Sequence, residues 1–578
     1  MRKHLTYIAL LALVFGINES IAQRKQNDTL NTGVIDVVKP YTPSISDAFK
    51  VKETPELEDA VTETKKSIEY NIFSIPVAST FTPAKGQAAV VEKAKPAKLY
   101  DNYATLGAGT YTTFLGELYL NHAISRTESV GGYLSHHSSQ GGIEGVRFED
   151  DFSDSKINVN YASQMRDMAW NVEGGFQRLT YNWYGVEAAF IDAAQTTDIQ
   201  VDHSFYSAYF GGDISFEDTY INSGSFFFRR FGDNRGSGEN RFKFNTTIDI
   251  PINGEELSTD LIFDYLGGTF DRSYDLEQEL NYGNFQIGVA SQYEMKQDDL
   301  TVNFGAALFY LNERESGDSK FYIYPKVTAT YRLVNDILIA YGGIEGGLIQ
   351  HSYFDFATEN PFVSPTLFIV PTDQQYNAYL GLKGKLSSNM SYKLSGHYWA
   401  DRNKALYRHN TTFLDFTDAE DYQYGNSFGI VYDDVDTFSV SGELNVDVNR
   451  NFTLGLKAEY FSYGTNNETE AWNLPDVKGS LFLDYRINEH WFAGANLFYS
   501  GERKALLSSL DPIEGYNDMV VVLDSYFDAN VHLGYNINDK ISVFAKANNL
   551  SNTAYQRWLF YPVQSIQFLT GATFKFDF

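Results

Sequence analysis

Residues 566–578 read Ile566-Gln567-Phe568-Leu569-Thr570-Gly571-Ala572-Thr573-Phe574-Lys575-Phe576-Asp577-Phe578. In an extended chain successive side chains point to opposite faces. Ile566, Phe568, Thr570, Ala572, Phe574, Phe576 and Phe578 then share one face. Gln567, Gly571, Thr573, Lys575 and Asp577 share the other, and Leu569 is the one exception. The same alternation recurs upstream. Phe452, Leu454, Leu456, Ala458 and Tyr460 oppose Thr453, Gly455, Lys457 and Glu459. Val477, Leu481, Leu483, Tyr485 and Ile487 oppose Lys478, Ser480, Asp484 and Arg486; Val531, Leu533, Tyr535 and Ile537 oppose Asn530, His532 and Asn536. The first three of these runs are long enough to cross hydrocarbon as tilted strands, which takes about 9–11 residues, and the fourth falls one residue short. No helical segments are available to cover the apolar face, so a closed barrel, greasy outside and polar inside, satisfies both faces and leaves no open edge.

Composition agrees. The chain has 578 residues with aromatic content of 16%, 45 glycines and 14 prolines. Mean hydropathy is −0.32, which excludes a bundle of transmembrane helices. A formal charge of −29 argues against nucleic acid as a partner, because phosphate counterions are displaced by a basic face. The absence of cysteine excludes disulfides, thiol catalysis and cysteine-ligated metal.

The first hundred residues differ from the rest. Arg2 and Lys3 precede an apolar run from Leu5 to Ile17, followed by Ser20-Ile21-Ala22. That is the layout of an export signal cleaved after Ala22, too short for a spanning helix. Residues 23–102 hold six of the prolines and read as a mostly irregular periplasmic or luminal segment. Within it Thr32-Gly33-Val34-Ile35-Asp36-Val37-Val38 contains a short β-capable run, and Glu56–Ser67 a turn or two of helix. The barrel is expected over 103–578.

Turn spacing sets the strand count. Short polar turns are read near Arg126–Glu128, Arg166–Asp167, Glu217–Asp218, Asn253–Glu255, Gln297–Asp299, Asn335–Asp336, Ser388–Asn389, Asn449–Asn451, Asn488–His490 and Asn538–Lys540. Longer connections lie between them, at Ser352–Thr372, Tyr407–Asp436, Gly464–Pro475, Lys504–Met519 and Ser551–Gln564. Short turns at one end and long loops at the other suit an outer-membrane barrel of about 22 antiparallel strands, within a range of about 20–24. Trp170, Trp183, Trp399, Trp472, Trp491 and Trp558 fall mostly near strand ends and are expected to form headgroup girdles. Loop contacts to a ligand are the alternative for Trp399 and Trp472.

One segment carries a family resemblance. Lys546-Ala547-Asn548-Asn549-Leu550-Ser551-Asn552-Thr553-Ala554-Tyr555-Gln556-Arg557-Trp558 resembles the penultimate strand of TonB-dependent receptors, with its Asn-Leu-polar-Asn-x-x-Tyr pattern. The aromatic-Lys-Phe-Asp-Phe ending is similar to their last strand, and the Tyr-x-Ile-Asn turns at Tyr485–Glu489 and Tyr535–Asp539 also resemble that family. The style, with Ala-Gln at the cleavage site, resembles Bacteroidota proteins. The resemblance implies a Gram-negative outer-membrane location and energised uptake of a scarce, bulky solute. It implies that Phe574, Phe576 and Phe578 form the signal read by the barrel-assembly machinery. Its partners would be outer-membrane lipid, an energy-coupling periplasmic protein engaging Thr32–Val38, and a surface lipoprotein. One departure stands out. Residues 23–102 are short for the family's plug domain and lack an Arg-Gly plug signature, so a reduced or missing plug is expected.

Sites for chemistry are weak. His136-His137 point to opposite faces, and the remaining histidines are scattered. Ser139 and Ser163 show no His/Asp partners. The clusters Glu149–Asp154 and Asp433-Asp434-Val435-Asp436 do not match a calcium loop. Gly342-Gly343-Ile344-Glu345-Gly346-Gly347 lies in strand pattern and reads as a bend, not a phosphate cradle. Arg229-Arg230, with Arg235 and Arg241, is a basic spot for an anionic solute or lipid headgroup, or a solvated loop. Neither an enzyme nor a cofactor is expected. A transport receptor, a plugless subunit of an outer-membrane assembly and a passive channel remain open from sequence.

Overall fold

The computed structural model describes residues 99–187, 199–217, 219–252, 255–412, 419–511 and 515–578. The export signal expected over residues 1–22, all but the last few residues of the segment 23–102, Thr32–Val38 and Glu56–Ser67 lie outside the described residues. The described chain forms one 22-stranded antiparallel sheet. It closes on itself: the first strand, Asn102–Gly109, pairs with Phe114–Ala123 on one side and with the last strand, Gln567–Phe576, on the other. Tyr103 stands opposite Tyr119 in one ladder and Lys575 in the other.

All ten expected turns fall at hairpins on one end. The strand pairs break at 124–127, 165–167, 217–220, 253–254, 298–299, 335–337, 388–389, 450–451, 487–490 and 537–540. Asn335 and Asp298 occupy positive φ there, the backbone state that Asn and Asp tolerate best. The Asn-Asp/Glu turns have a further cause. Asn488 Oδ1 accepts from the backbone N–H of His490 and Trp491, and Asn538 Oδ1 does the same for Lys540 and Ile541. These side chains mimic a backbone turn and fix the hairpin register.

Period-two patterning places the two faces as expected. Phe568, Phe574, Leu456, Tyr460, Leu533 and Tyr485 all point outward and are exposed. A wall so apolar is a liability in water and an asset in hydrocarbon. Leu569, the exception in the last strand, points inward and joins Leu115 and Phe544 in a small internal cluster. His136 faces outward and bonds Ser155, while the His137 ring faces inward against Phe152. The glycine run 342–347 lies in the strand Leu338–Ile349, where the register shifts between Glu345 and Gly347.

Strand lengths are unequal. Asn102–Gly109 and Ile541–Asn548 have 8 residues each, whereas Met390–His409 and Phe428–Asn449 have 20 and 22. The connection read at Tyr407–Asp436 is therefore shorter than expected, because these two strands continue beyond the wall. Lys504–Met519, read as a loop, lies largely in a hairpin of Arg503–Asp511 with Gly515–Leu523.

Candidate functional site

The long connections fold inward and build the largest hydrophobic cluster in the described chain at their end of the barrel. It joins Phe152, Leu179 and Phe205 from strands on one side to Tyr407, Phe428, Leu523 and Trp558 from the other. The centrepiece is the connection 350–371, which carries a short helix, Tyr353–Glu359. Ser352 caps it by accepting from the Asp355 N–H at 3.1 Å. Tyr353 is 0% exposed. Its ring meets Phe231 and Phe270 edge-on, with centroids 5.1 and 5.0 Å away.

A polar frame surrounds this apolar plug of side chains. Tyr353 Oη donates to Asp233 at 2.7 Å, and its backbone N–H donates to Glu239 at 2.6 Å. Tyr282 Oη also donates to Glu239, at 2.8 Å. Asp233 is 3.1 Å from His203 Nε2, and Trp183 stacks on that imidazole at 4.2 Å. Burial, reinforced by the Asp233 carboxylate, pushes the Tyr353 phenol far above its ordinary value, so it remains a donor. Arg241 grips Asp264 through two nitrogens, at 3.1 and 2.7 Å, and reaches Asp355 at 3.0 Å and the Gln350 carbonyl at 3.1 Å. One wall arginine thus ties the barrel to the start of the connection and to the first turn of its helix.

The last loop completes the cap. Tyr561 stacks on Phe362 at 3.8 Å and lies against Tyr184 at 4.8 Å. Its ring occupies the space that a side chain at Gly185 would need, so only glycine fits there. Its hydroxyl donates to the Asn426 carbonyl. Arg235 pairs with Asp421 at 2.7 Å and Arg272 with Glu420 at 3.0 Å, so the 410–427 connection is clipped to two neighbouring loops. A cavity of about 110 Å³ remains between the helix and the last loops, lined by His351, Glu359, Tyr407, Trp472 and Trp558 among others.

The family-like segment Asn549–Tyr555 is now explained locally. Asn549 and Asn552 hold positive φ. Asn549 Nδ2 donates to the Thr553 and Gln564 carbonyls, and Asn552 Oδ1 accepts from the Ile566 N–H. Tyr555 stacks on Tyr526 at 3.9 Å and donates to Asp528. The pattern therefore aims the last loop inward and starts the final strand. The acidic clusters are also engaged. Asp433 accepts from the backbone N–H groups of Asn466, Asn467 and Glu468 and pins that loop.

Four tryptophans depart from the girdle reading. Trp183, Trp472 and Trp558 are 0%, 1% and 5% exposed, and are packed in or under the cap. Trp399 lies edge-on to His397. Its pairing partner Asn377 shares a hydrogen bond with that histidine, on the inner wall. Trp491 stands on the outer wall, and Trp170, against Tyr161, faces outward near the short-turn end. The basic spot is split: Arg241 points inward, Arg235 belongs to the cap, and Arg229 lies 3.6 Å over the Phe354 ring.

His351 gives the cap a pH dependence. It stacks on Phe356 and shares a 2.7 Å hydrogen bond with Thr372. Burial lowers its pKa from 6.5 to about 4, outweighing the pull of Asp355. A released loop would bind a proton between those values that the packed loop refuses, so stability rises with pH across that window. The His351 contribution to cap stability is expected to fall as pH drops from 6.5 toward 4 and to be flat above 6.5. Hydrogen exchange of residues 350–371 at pH 7 and pH 5 checks this; His351→Gln should flatten the difference.

No family model matches the chain, and no curated protein matches it. Solved structures do. The FrpB iron transporter from Neisseria meningitidis aligns at TM-score 0.63 with 9% identity, covering 83% of this chain and 82% of that one. The pyoverdine outer membrane receptor FpvA from Pseudomonas aeruginosa aligns at 0.61 with 12% identity, covering 84% and 80%. The siderophore receptor PirA from Acinetobacter baumannii aligns at 0.60 with 11% identity, covering 83% and 81%. At these identities the likeness is one of fold, and the fold is the 22-strand barrel of such receptors.

Proposed function

We propose that this protein is an outer-membrane receptor of the TonB-dependent type that carries a bulky solute inward through its barrel. The observation that supports this most is the dry aromatic cap across the long-loop mouth. A passive pore has no use for it, whereas a receptor that admits cargo on demand needs a mouth that is closed by default. The shared fold supports the same reading, and ferric chelates, named for several of the similar structures, are the first cargo to test. In this reading Thr32–Val38 adds to the sheet edge of an energy-coupling periplasmic protein, and residues 23–102 act as a reduced plug or periplasmic arm. Export by the signal peptide and insertion through Phe574, Phe576 and Phe578 belong to the same proposal.

The test is uptake of labelled ferric chelates by cells relying on this chain. Uptake should saturate, stop when a protonophore collapses the inner-membrane gradient, and drop at least about tenfold, or about 1.4 kcal/mol, when 32–38 are deleted. Steady conductance of the purified chain in a planar bilayer would contradict it. A second reading is favoured by the hairpin 503–523, whose Met519, Val520 and Val522 are exposed. There the barrel serves as a subunit that docks a surface lipoprotein. Stable co-purification without any gradient-dependent uptake would select that reading.

A further inference from the structure

Arg178 and Arg230 are the two cations on the outward positions of the strands between 152 and 252. Arg178 belongs to Met168–Asn182 and stands opposite Tyr206 in the next strand. Two residues along that strand, Ala208 stands opposite Arg230 of Ile221–Asp233. The two arginines are therefore two strand spacings apart across the sheet and two residues apart along it, about 12 Å, with Tyr206 between them. Phe176, Phe210 and Phe228 follow on the same outer face toward the short-turn end, each 41–52% exposed. In the ladders Phe176 is level with Arg230 through Ala208, and Phe210 with Phe228 lies one step below, so the cations sit on the margin of an apolar belt on its long-loop side.

Both guanidinium groups are positioned. Arg178 lies 5.8 Å from the centroid of the Tyr206 ring. Arg230 lies flat over Gly238, occupying the volume a side chain there would fill. Neither has a carboxylate partner among the described residues, in contrast to Arg235, Arg241 and Arg272. Two unpaired arginines on the wall of a chain with net charge −29 are not general basicity. Arginine presents a planar fork of donors that matches phosphate oxygens, and at this height the phosphate available is that of a lipid headgroup whose acyl chains lie along the phenylalanines below.

We infer that Arg178, Tyr206 and Arg230 form an outer-wall site for a phosphorylated lipid headgroup of the leaflet at the long-loop end. The test uses the full chain in detergent and native mass spectrometry, with diphosphoryl lipid A and its dephosphorylated counterpart as probes. The wild type should retain the phosphorylated probe at least about tenfold better. R178Q/R230Q should bring the two probes within about twofold, and R178K/R230K should keep part of the preference, since charge persists without the fork. Heat-modifiable mobility reports that each variant is folded; if the double variant is not, each single Gln variant must lose at least about threefold. Equal retention of both probes by the wild type overturns the site. So does an unchanged preference in the Gln variants, or complete displacement of the lipid by 10 mM inorganic phosphate, which would make the ligand a free anion.

Discussion

Tyr353→Ala is expected to release the cap while leaving the barrel closed. The substitution deletes a fully buried ring and removes the donor to Asp233, in a site too framed by Phe205, Phe231 and Phe270 to collapse onto the gap. Large-to-small changes of an aromatic in a core cost about 3–5 kcal/mol. The helix Tyr353–Glu359 is only 7 residues long and has no stability of its own. Hydrogen exchange at 353–360 should accelerate by about 10²–10³, whereas amides in the wall strands keep their protection. Unchanged protection of the helix would mean that the loop is held elsewhere. Tyr353→Phe separates the two contributions, since it keeps the ring and loses only the hydrogen bond, worth about 1–2 kcal/mol.

Arg241→Ala is expected to have an effect of similar size by a different route. Arg241 is 6% exposed and Asp264 8% exposed. Removing the guanidinium strips Asp264 of both its charged hydrogen bonds and leaves Lys243, opposite it in the neighbouring strand, as its nearby cation, a change that costs about 3 kcal/mol. It also unties Asp355 and the Gln350 carbonyl. Guanidinium unfolding should show an early transition for the cap, and proteases should cut within 350–371. A second change, Asp264→Leu, removes the stranded charge and should restore most of the loss with Arg241→Met in place of Ala. If Arg241→Ala is silent, the tie is a surface pair worth under about 1 kcal/mol.

The wall of this barrel was readable because membrane strands must obey a period of two. Several turns announced themselves through Ser or Asn side chains that satisfy the backbone of a tight hairpin, as Ser125, Asn449, Asn488 and Asn538 do. Even the misfit at Leu569 was informative: it is the inward residue of a real cluster with Leu115 and Phe544. The grouping of Arg229-Arg230 into one basic spot overlooked the same rule, since Arg229 faces Phe354 within the barrel and Arg230 takes the outward position. The cap was not readable. Its loops have no period, and its contacts join residues as distant as Tyr184 and Tyr561. Tryptophan near a strand end fits a headgroup girdle and a folded-in loop equally well, so Trp183 and Trp558 were misplaced while Trp491 was not. A signal did exist for the last loop: the Asn549–Tyr555 pattern specifies two left-handed residues, and such a bend turns the chain back over the lumen.

The unequal strands carry one more implication. The seam where the cylinder meets itself is made of its shortest members, Asn102–Gly109 beside Gln567–Phe576 and Ile541–Asn548. Fewer rungs must be broken there than between Met390–His409 and Phe428–Asn449 on the tall side. A pull applied sideways would therefore open this short side of the cylinder first, and the tall palisade would be the last part standing.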